Sequence, residues 1–132
     1  MDKNNVAIAE AYYTAMSQKN VAGAERYLHP EVHFIGPIQE TMGKTAFLEG
    51  VKRLVSSFKT LTIRTKCGSG NQVMLAYDLE FPDPIGNCRT ASLLTFQEGL
   101  IIKIELFFDA RPFAQSIQKP PLPTDLSSKK FN

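Results

Sequence analysis

Between Leu61 and Asp109 the chain places apolar residues at every second position over consecutive segments. Leu75, Tyr77, Leu79 and Phe81 alternate with Ala76, Asp78 and Glu80. Leu94 and Phe96 share a parity with Ser92, and Ile102, Ile104, Leu106 and Phe108 stand opposite Lys103 and Glu105. Successive side chains of a strand point to opposite faces, so this period marks half-buried antiparallel strands with one apolar face. Turn chemistry divides the run at Gly68-Ser69-Gly70, at Pro82-Asp83-Pro84-Ile85-Gly86 and at Glu98-Gly99. Four strands are predicted, near residues 60–67, 71–81, 87–98 and 100–109. Their shared face offers hydrocarbon and a few hydroxyls but almost no acid, so a small molecule seated on it would meet no obvious general base.

Upstream the period changes to that of a helix. Residues 5–18 carry Ala7, Ala9, Ala11 and Ala15, which favour helix, with Asn4 or Asn5 available as a cap. Val6, Ala9, Tyr13 and Met16 form one stripe, and Ile8, Tyr12 and Ala15 an adjacent one, so a broad face is buried. Asn20 is placed to cap a second helix over 21–28, closed by Pro30. Val32 to Ile35 reads as a short strand ended by Gly36-Pro37, and Gly43-Lys44-Thr45 opens a third helix over 45–58, with Phe47, Val51, Leu54 and Phe58 inward. After Arg111 come Pro112, Pro120, Pro121 and Pro123 and a mostly polar end. The expected organisation is one domain over 1–113 and a proline-containing tail over 114–132, in which Lys119-Pro120-Pro121-Leu122-Pro123 has the spacing of a polyproline ligand or of a stiffened tail.

Bulk properties narrow the partners. The 132 residues suffice for one hydrophobic core. A net charge of +2, with its Lys and Arg scattered, argues against nucleic acid. No apolar run approaches the roughly 20 residues of a membrane helix, and Met1-Asp2-Lys3-Asn4-Asn5 lacks the pattern of a signal peptide, so a cytoplasmic location is expected. In a meander of these strands Cys67 and Cys88 fall at opposite ends of the middle one, on the order of 20 Å apart, and are expected to be reduced.

Helices first, a short strand pair, a long helix and then a meander is an α+β order. Leu28-His29-Pro30-Glu31-Val32 with Gly36-Pro37, and Gly99-Leu100-Ile101-Ile102-Lys103-Ile104 running into Phe107-Phe108-Asp109, resemble the nuclear transport factor 2-like superfamily, specifically its SnoaL-like members. The resemblance covers about residues 5–113. It implies three N-terminal helices packed in a curved, mainly antiparallel sheet, a cystatin-like cone or α+β barrel with a pocket at the open end, and often a homodimer through the sheet's outer face. Ketosteroid isomerase-like members use a Tyr on the first helix, an Asp base near the end of the first strand and a second acid on the penultimate strand. In this chain those positions fall on Tyr12, Gly36 and Leu94. Gly and Leu cannot move a proton. Limonene epoxide hydrolase-like members need inward acids on the long strands, where this chain has Leu106, with Asp78 of outward parity. SnoaL-like cyclases work through a carboxylate, for which Asp109 is the one candidate near the pocket.

The candidate ligand-binding residues are Tyr12, Met16, Phe34, Phe58, Tyr77, Ser92, Leu94, Ile104, Leu106 and Phe108. Tyr77 and Ser92 are expected to pair across a hairpin with Thr90 beside them, either fixing a ligand's polar end or satisfying each other in a packed core. Tyr12 and Tyr13 are neighbours, so one of them is expected to point inward, and the resemblance favours Tyr12. The catalytic candidates are Asp109, His33 and Tyr77. Asp109 has the competing role of a turn residue paired with Arg111. His29 and His33 have a helical metal spacing that Pro30 breaks, so neither a metal nor a cofactor is expected. The expected function is to hold a small, mostly apolar molecule. The alternatives are an isomerase, cyclase or hydrolase using Asp109, His33 or Tyr77, and a dimeric interaction module without ligand. The dimer is expected to bury Met74, Ala76, Ala91, Leu93 and Phe107, which lie outward together, unless the tail covers them with Phe113, Ile117 and Leu122.

Overall fold

The computed structural model describes residues 2–114. Helix α1 (Asp2–Ser17) is followed by the short α2 (Val21–Glu25), whose cap Asn20 accepts a hydrogen bond from the Gly23 amide at 2.9 Å. Strand β1 (Leu28–Ile35) and β2 (Glu40–Met42) form a small antiparallel pair, and α3 (Lys44–Val55) leads into β3 (Thr60–Ser69), β4 (Gln72–Glu80), β5 (Asn87–Gln97) and β6 (Leu100–Phe107). The six strands make one curved sheet in the order β2-β1-β6-β5-β4-β3. All neighbours are antiparallel except β1 with β6, and the sheet is open rather than closed into a barrel. Helix α1 packs over β3 and β4, and α3 over β1 and β2, so the core lies between the helices and the sheet's inner face. The fold is the α+β cone that the element order implies.

Several local expectations are corrected. The second helix ends at Glu25 rather than 28, because Leu28 already pairs with Ile101 of β6. Pro30 therefore sits inside β1, where the ladder to β6 is interrupted between Leu28 and His33 and a missing N–H is tolerated. The long helix ends at Val55, three residues short of Phe58. Gly68 and Ser69 are paired in β3, leaving Gly70-Asn71 as the turn. Glu98-Gly99 is a two-residue hairpin loop with both residues left-handed, φ 54° and 80°, the conformation that matches the twist of the strands it joins. In β6 the alternation is broken once. Leu94 faces Ile104 but Phe96 faces Ile101, so Ile102 is the extra residue of a bulge and Ile101, not Ile102, is buried.

Cys67 is opposite Met74 on the outer face and Cys88 opposite Leu79 on the inner one. Five residues of β4, roughly 17 Å, separate those partners, and both cysteines are free. No helix of the described residues is long and apolar enough to cross a membrane. The outer face carries Met74 and Phe107, 39% and 50% exposed, beside the half-buried Ala76, Ala91 and Leu93. Phe113 is not on that face: it stacks edge-on against Phe81 and Phe108, with ring centroids 5.2 and 5.4 Å away. It is thus no anchor for a tail crossing the outer patch, and Ile117 and Leu122 lie outside the described residues.

Candidate functional site

The open end of the cone holds a cavity of about 500 Å³, walled by α1, the β1–β2 turn, α3 and the inner faces of β4, β5 and β6. Its wall is mostly aromatic and aliphatic, because these are the residues that period two on the strands and period 3.6 on α3 turn inward. Of the ten ligand-binding candidates, Tyr12, Met16, Phe34, Tyr77, Ile104, Leu106 and Phe108 line it. Phe58, Ser92 and Leu94 are buried in the core and do not themselves line it.

Gly36, in the turn after β1, lies at the position where the resemblance would place a base. A Cβ there would come within 2.9 Å of the Phe34 ring. The absent side chain lets that ring lean over the cavity against Phe47, 5.3 Å between centroids.

The inner wall carries a cluster of hydroxyls. Tyr12 and Tyr13 are both buried, which corrects the expectation that only one could point inward. Their rings meet edge-on at 4.8 Å, and Tyr13 lies 4.7 Å from the Tyr77 ring. The Tyr13 hydroxyl donates to Ser92 Oγ at 2.8 Å, and Tyr77 Oη lies 2.8 Å from the same oxygen. The two phenols are 3.5 Å apart. Tyr77 is directly opposite Thr90, and Ser92 is opposite Leu75, so the predicted register was off by two. The hydroxyls meet on a diagonal of the ladder, where long side chains still reach. The Tyr12 hydroxyl makes no hydrogen bond among the described residues. Burial raises all three phenols above their ordinary value of 10.0, Tyr12 and Tyr77 most, so at neutral pH they are hydrogen-bond donors rather than bases. Burial likewise raises Cys88, which also lines the cavity.

The two other catalytic candidates lie away from the wall. His33, on β1 between β2 and β6, does not line the cavity, and its Nε2 lies 2.6 Å from Glu40 Oε2. Asp109, beyond the end of β6, accepts three hydrogen bonds from the Arg111 guanidinium at 2.7, 2.9 and 3.1 Å and one from the Arg111 amide at 3.0 Å. Those bonds, the side-chain ones foremost, lower its pKa to about 2, as befits a turn carboxylate rather than a proton carrier. Among the described residues no three His, Cys, Asp or Glu groups come together as a metal site.

Sequence reasoning passed over the rim. Gln39, in the β1–β2 turn, Arg53, in the last turn of α3, and Ser57, two residues beyond its end, are exposed yet line the cavity. Gly50, Arg53, Leu54 and Ser57 follow one another at i, i+3, i+4 and i+7, a helical stripe that could have been extended from Leu54 to find them.

Solved structures share this architecture. A protein from Kribbella flavida superposes with a TM-score of 0.78 at 23% identity, over 84% of this chain and 91% of that one. An NTF2-like protein of unknown function from Cytophaga hutchinsonii gives a TM-score of 0.72 at 20% identity, over 82% and 92%. A steroid delta-isomerase from Pseudomonas aeruginosa gives 0.70 at 17% identity, over 83% and 82%. At such identities the likeness is one of fold. No curated protein matches the chain. The SnoaL-like domain pattern matches residues 9–104, from the first helix through the buried Ile104 of the last strand, and the chain belongs to that family, within the NTF2-like fold.

Proposed function

We propose that this protein holds a small, mostly apolar molecule in the cone, with a neutral polar group of it toward the hydroxyls of Tyr12, Tyr13, Tyr77 and Thr90. The observation that carries the reading is the cavity itself. About 500 Å³ is left open inside an otherwise packed domain and lies within the usual range for ligand sites, with apolar walls and a few convergent polar groups. A domain serving only as a docking scaffold would have reason to fill that space with its own side chains, since unfilled volume lowers stability.

An enzymatic role is the second reading, favoured by the hydroxyl cluster and by the steroid delta-isomerase of similar fold. Buried phenols can polarise a carbonyl oxygen. The lining residues, however, include no carboxylate or imidazole to take a proton, and Gly36 and Leu94 stand where the resemblance expects acids. The geometry thus supports holding and orienting better than proton transfer. The test is titration with an apolar fluorophore whose emission rises out of water. Wild type should bind saturably, and Leu106→Asp, which puts a carboxylate on the apolar wall, should weaken binding at least tenfold while far-UV circular dichroism is kept. Leu106→Trp, which fills the cavity instead, guards against a folding defect in the first variant. Absence of saturable binding by wild type would overturn the reading.

A further inference from the structure

The cavity has an electrostatic polarity that the apolar reading leaves unused. Among its lining residues one side chain is ionised at neutral pH, and it is a cation, Arg53. Arg53 makes no ion pair within 4.0 Å among the described residues, although Glu49 stands one helical turn before it. Gly50 opens the space in front of it. A Cβ built there would lie 3.3 Å from Gln39 Nε2 and 4.0 Å from an Arg53 guanidinium nitrogen, so an amide donor and a guanidinium converge over the one helix position that lacks a side chain. Both are donors, and both are at the rim, while the deep wall has neutral hydroxyls.

We infer that the ligand is an amphipathic anion: an apolar body enclosed by the aromatic wall, with a carboxylate or equivalent oxyanion left at the mouth against Arg53 and Gln39. The inference rests on the ligand-holding reading and adds the charge and the orientation of the ligand. A guanidinium binds a carboxylate through two parallel donors, and an amide N–H can complete the set. Placing the charge at the rim spares it the desolvation that the deep end would impose. Arg53 also sits in the last turn of α3, where any cation suits the helix dipole. That role is indifferent to the ligand, and the experiment uses this fact.

The test compares two probes with the same aromatic body, anilinonaphthalene sulfonate and the uncharged N-phenylnaphthylamine. Wild type should bind the sulfonate roughly fivefold more tightly than the neutral probe, the scale of one partly exposed ion pair. The preference should shrink as salt is raised. In Arg53→Gln it should vanish, through weaker sulfonate binding. In Lys52→Gln, which removes a neighbouring exposed cation that does not line the cavity, it should persist. Equal affinities for the two probes in wild type, or a preference that survives Arg53→Gln, would overturn the anion inference and leave the cavity reading standing. Failure of both probes to bind wild type saturably would overturn both.

Discussion

Ser92 is fully buried and is the shared partner of two buried phenols, so Ser92→Ala is a severe perturbation for the loss of a single oxygen. The substitution removes two side-chain hydrogen bonds of 2.8 Å. At a net worth of about 1 kcal/mol each, that is about 2 kcal/mol. Tyr13 and Tyr77 are then left with each other at 3.5 Å, a long and weak contact that can serve one donor and leaves the other hydroxyl poorly paired. A poorly satisfied buried hydroxyl adds about 1 kcal/mol more, for a total near 3 kcal/mol. Urea unfolding followed by far-UV circular dichroism reads this directly. With a slope of about 2 kcal/mol per molar the midpoint should fall by about 1.5 M, the slope itself unchanged. The triple variant Tyr13→Phe, Tyr77→Phe, Ser92→Ala removes every member of the cluster and leaves no orphan, and should be closer to wild type than Ser92→Ala alone. A loss below about 0.5 kcal/mol in the single variant, or a triple variant whose losses simply add, would refute the view that the three hydroxyls act as one unit.

Other outcomes follow from the same geometry. Purified protein should show no conversion of 5-ene to 4-ene steroid at the level of an isomerase, since Gly36 and Leu94 supply neither base nor second donor; a rate of that order would sink the argument. Alkaline titration should be cooperative. Burial raises the folded pKa of Tyr12, Tyr13 and Tyr77, so these groups favour the folded state below pH 10.0 and that contribution is lost as pH rises beyond it. Their phenolate absorbance should therefore appear together with unfolding, and smooth titration of all tyrosines before unfolding would contradict their burial. We propose further that two copies pair through the outer sheet face around Met74 and Phe107. Light scattering should give a dimer that Phe107→Lys weakens; a full-length monomer that associates only after deletion of residues 114–132 would assign the face to the tail instead.

What the sequence disclosed and what it hid divide along physical lines. The inner positions of β4 and β5 were legible because period two survives unbroken there, from Val73 to Phe81 and from Cys88 to Phe96. In β6 the same reasoning misplaced Ile102, because a bulge shifts parity by one and leaves no mark in composition. Pro30 misled in the opposite sense. It signals an end to helix, and the helix does end, but it is also tolerated in a strand whose ladder is interrupted, so β1 starts earlier than the proline suggested. The tyrosine pair shows the limit of counting faces: adjacent helical residues are 100° apart, and a face buried by both α2 and the sheet is wide enough for both.

The candidate site was legible where it is hydrophobic and illegible where it is polar, and one cause explains both. Apolar lining follows from burial, which periodicity reports, so Phe34, Tyr77, Ile104 and Phe108 were found by position alone. The hydroxyl cluster depends on register across three elements: Tyr13 from α1, Tyr77 from β4 and Ser92 from β5 meet although 79 and 15 residues separate the bonded pairs. No local pattern encodes that meeting. The rim is harder still. Arg53 is exposed and on a polar flank of its helix, so by hydropathy it is one more solvated cation. It becomes a cavity residue only because Gly50 leaves room beside it and the β1–β2 turn brings Gln39 to the same place. A sequence thus shows where an apolar ligand would rest before it shows what would hold its polar groups, because burial is a property of one residue and convergence is a property of several.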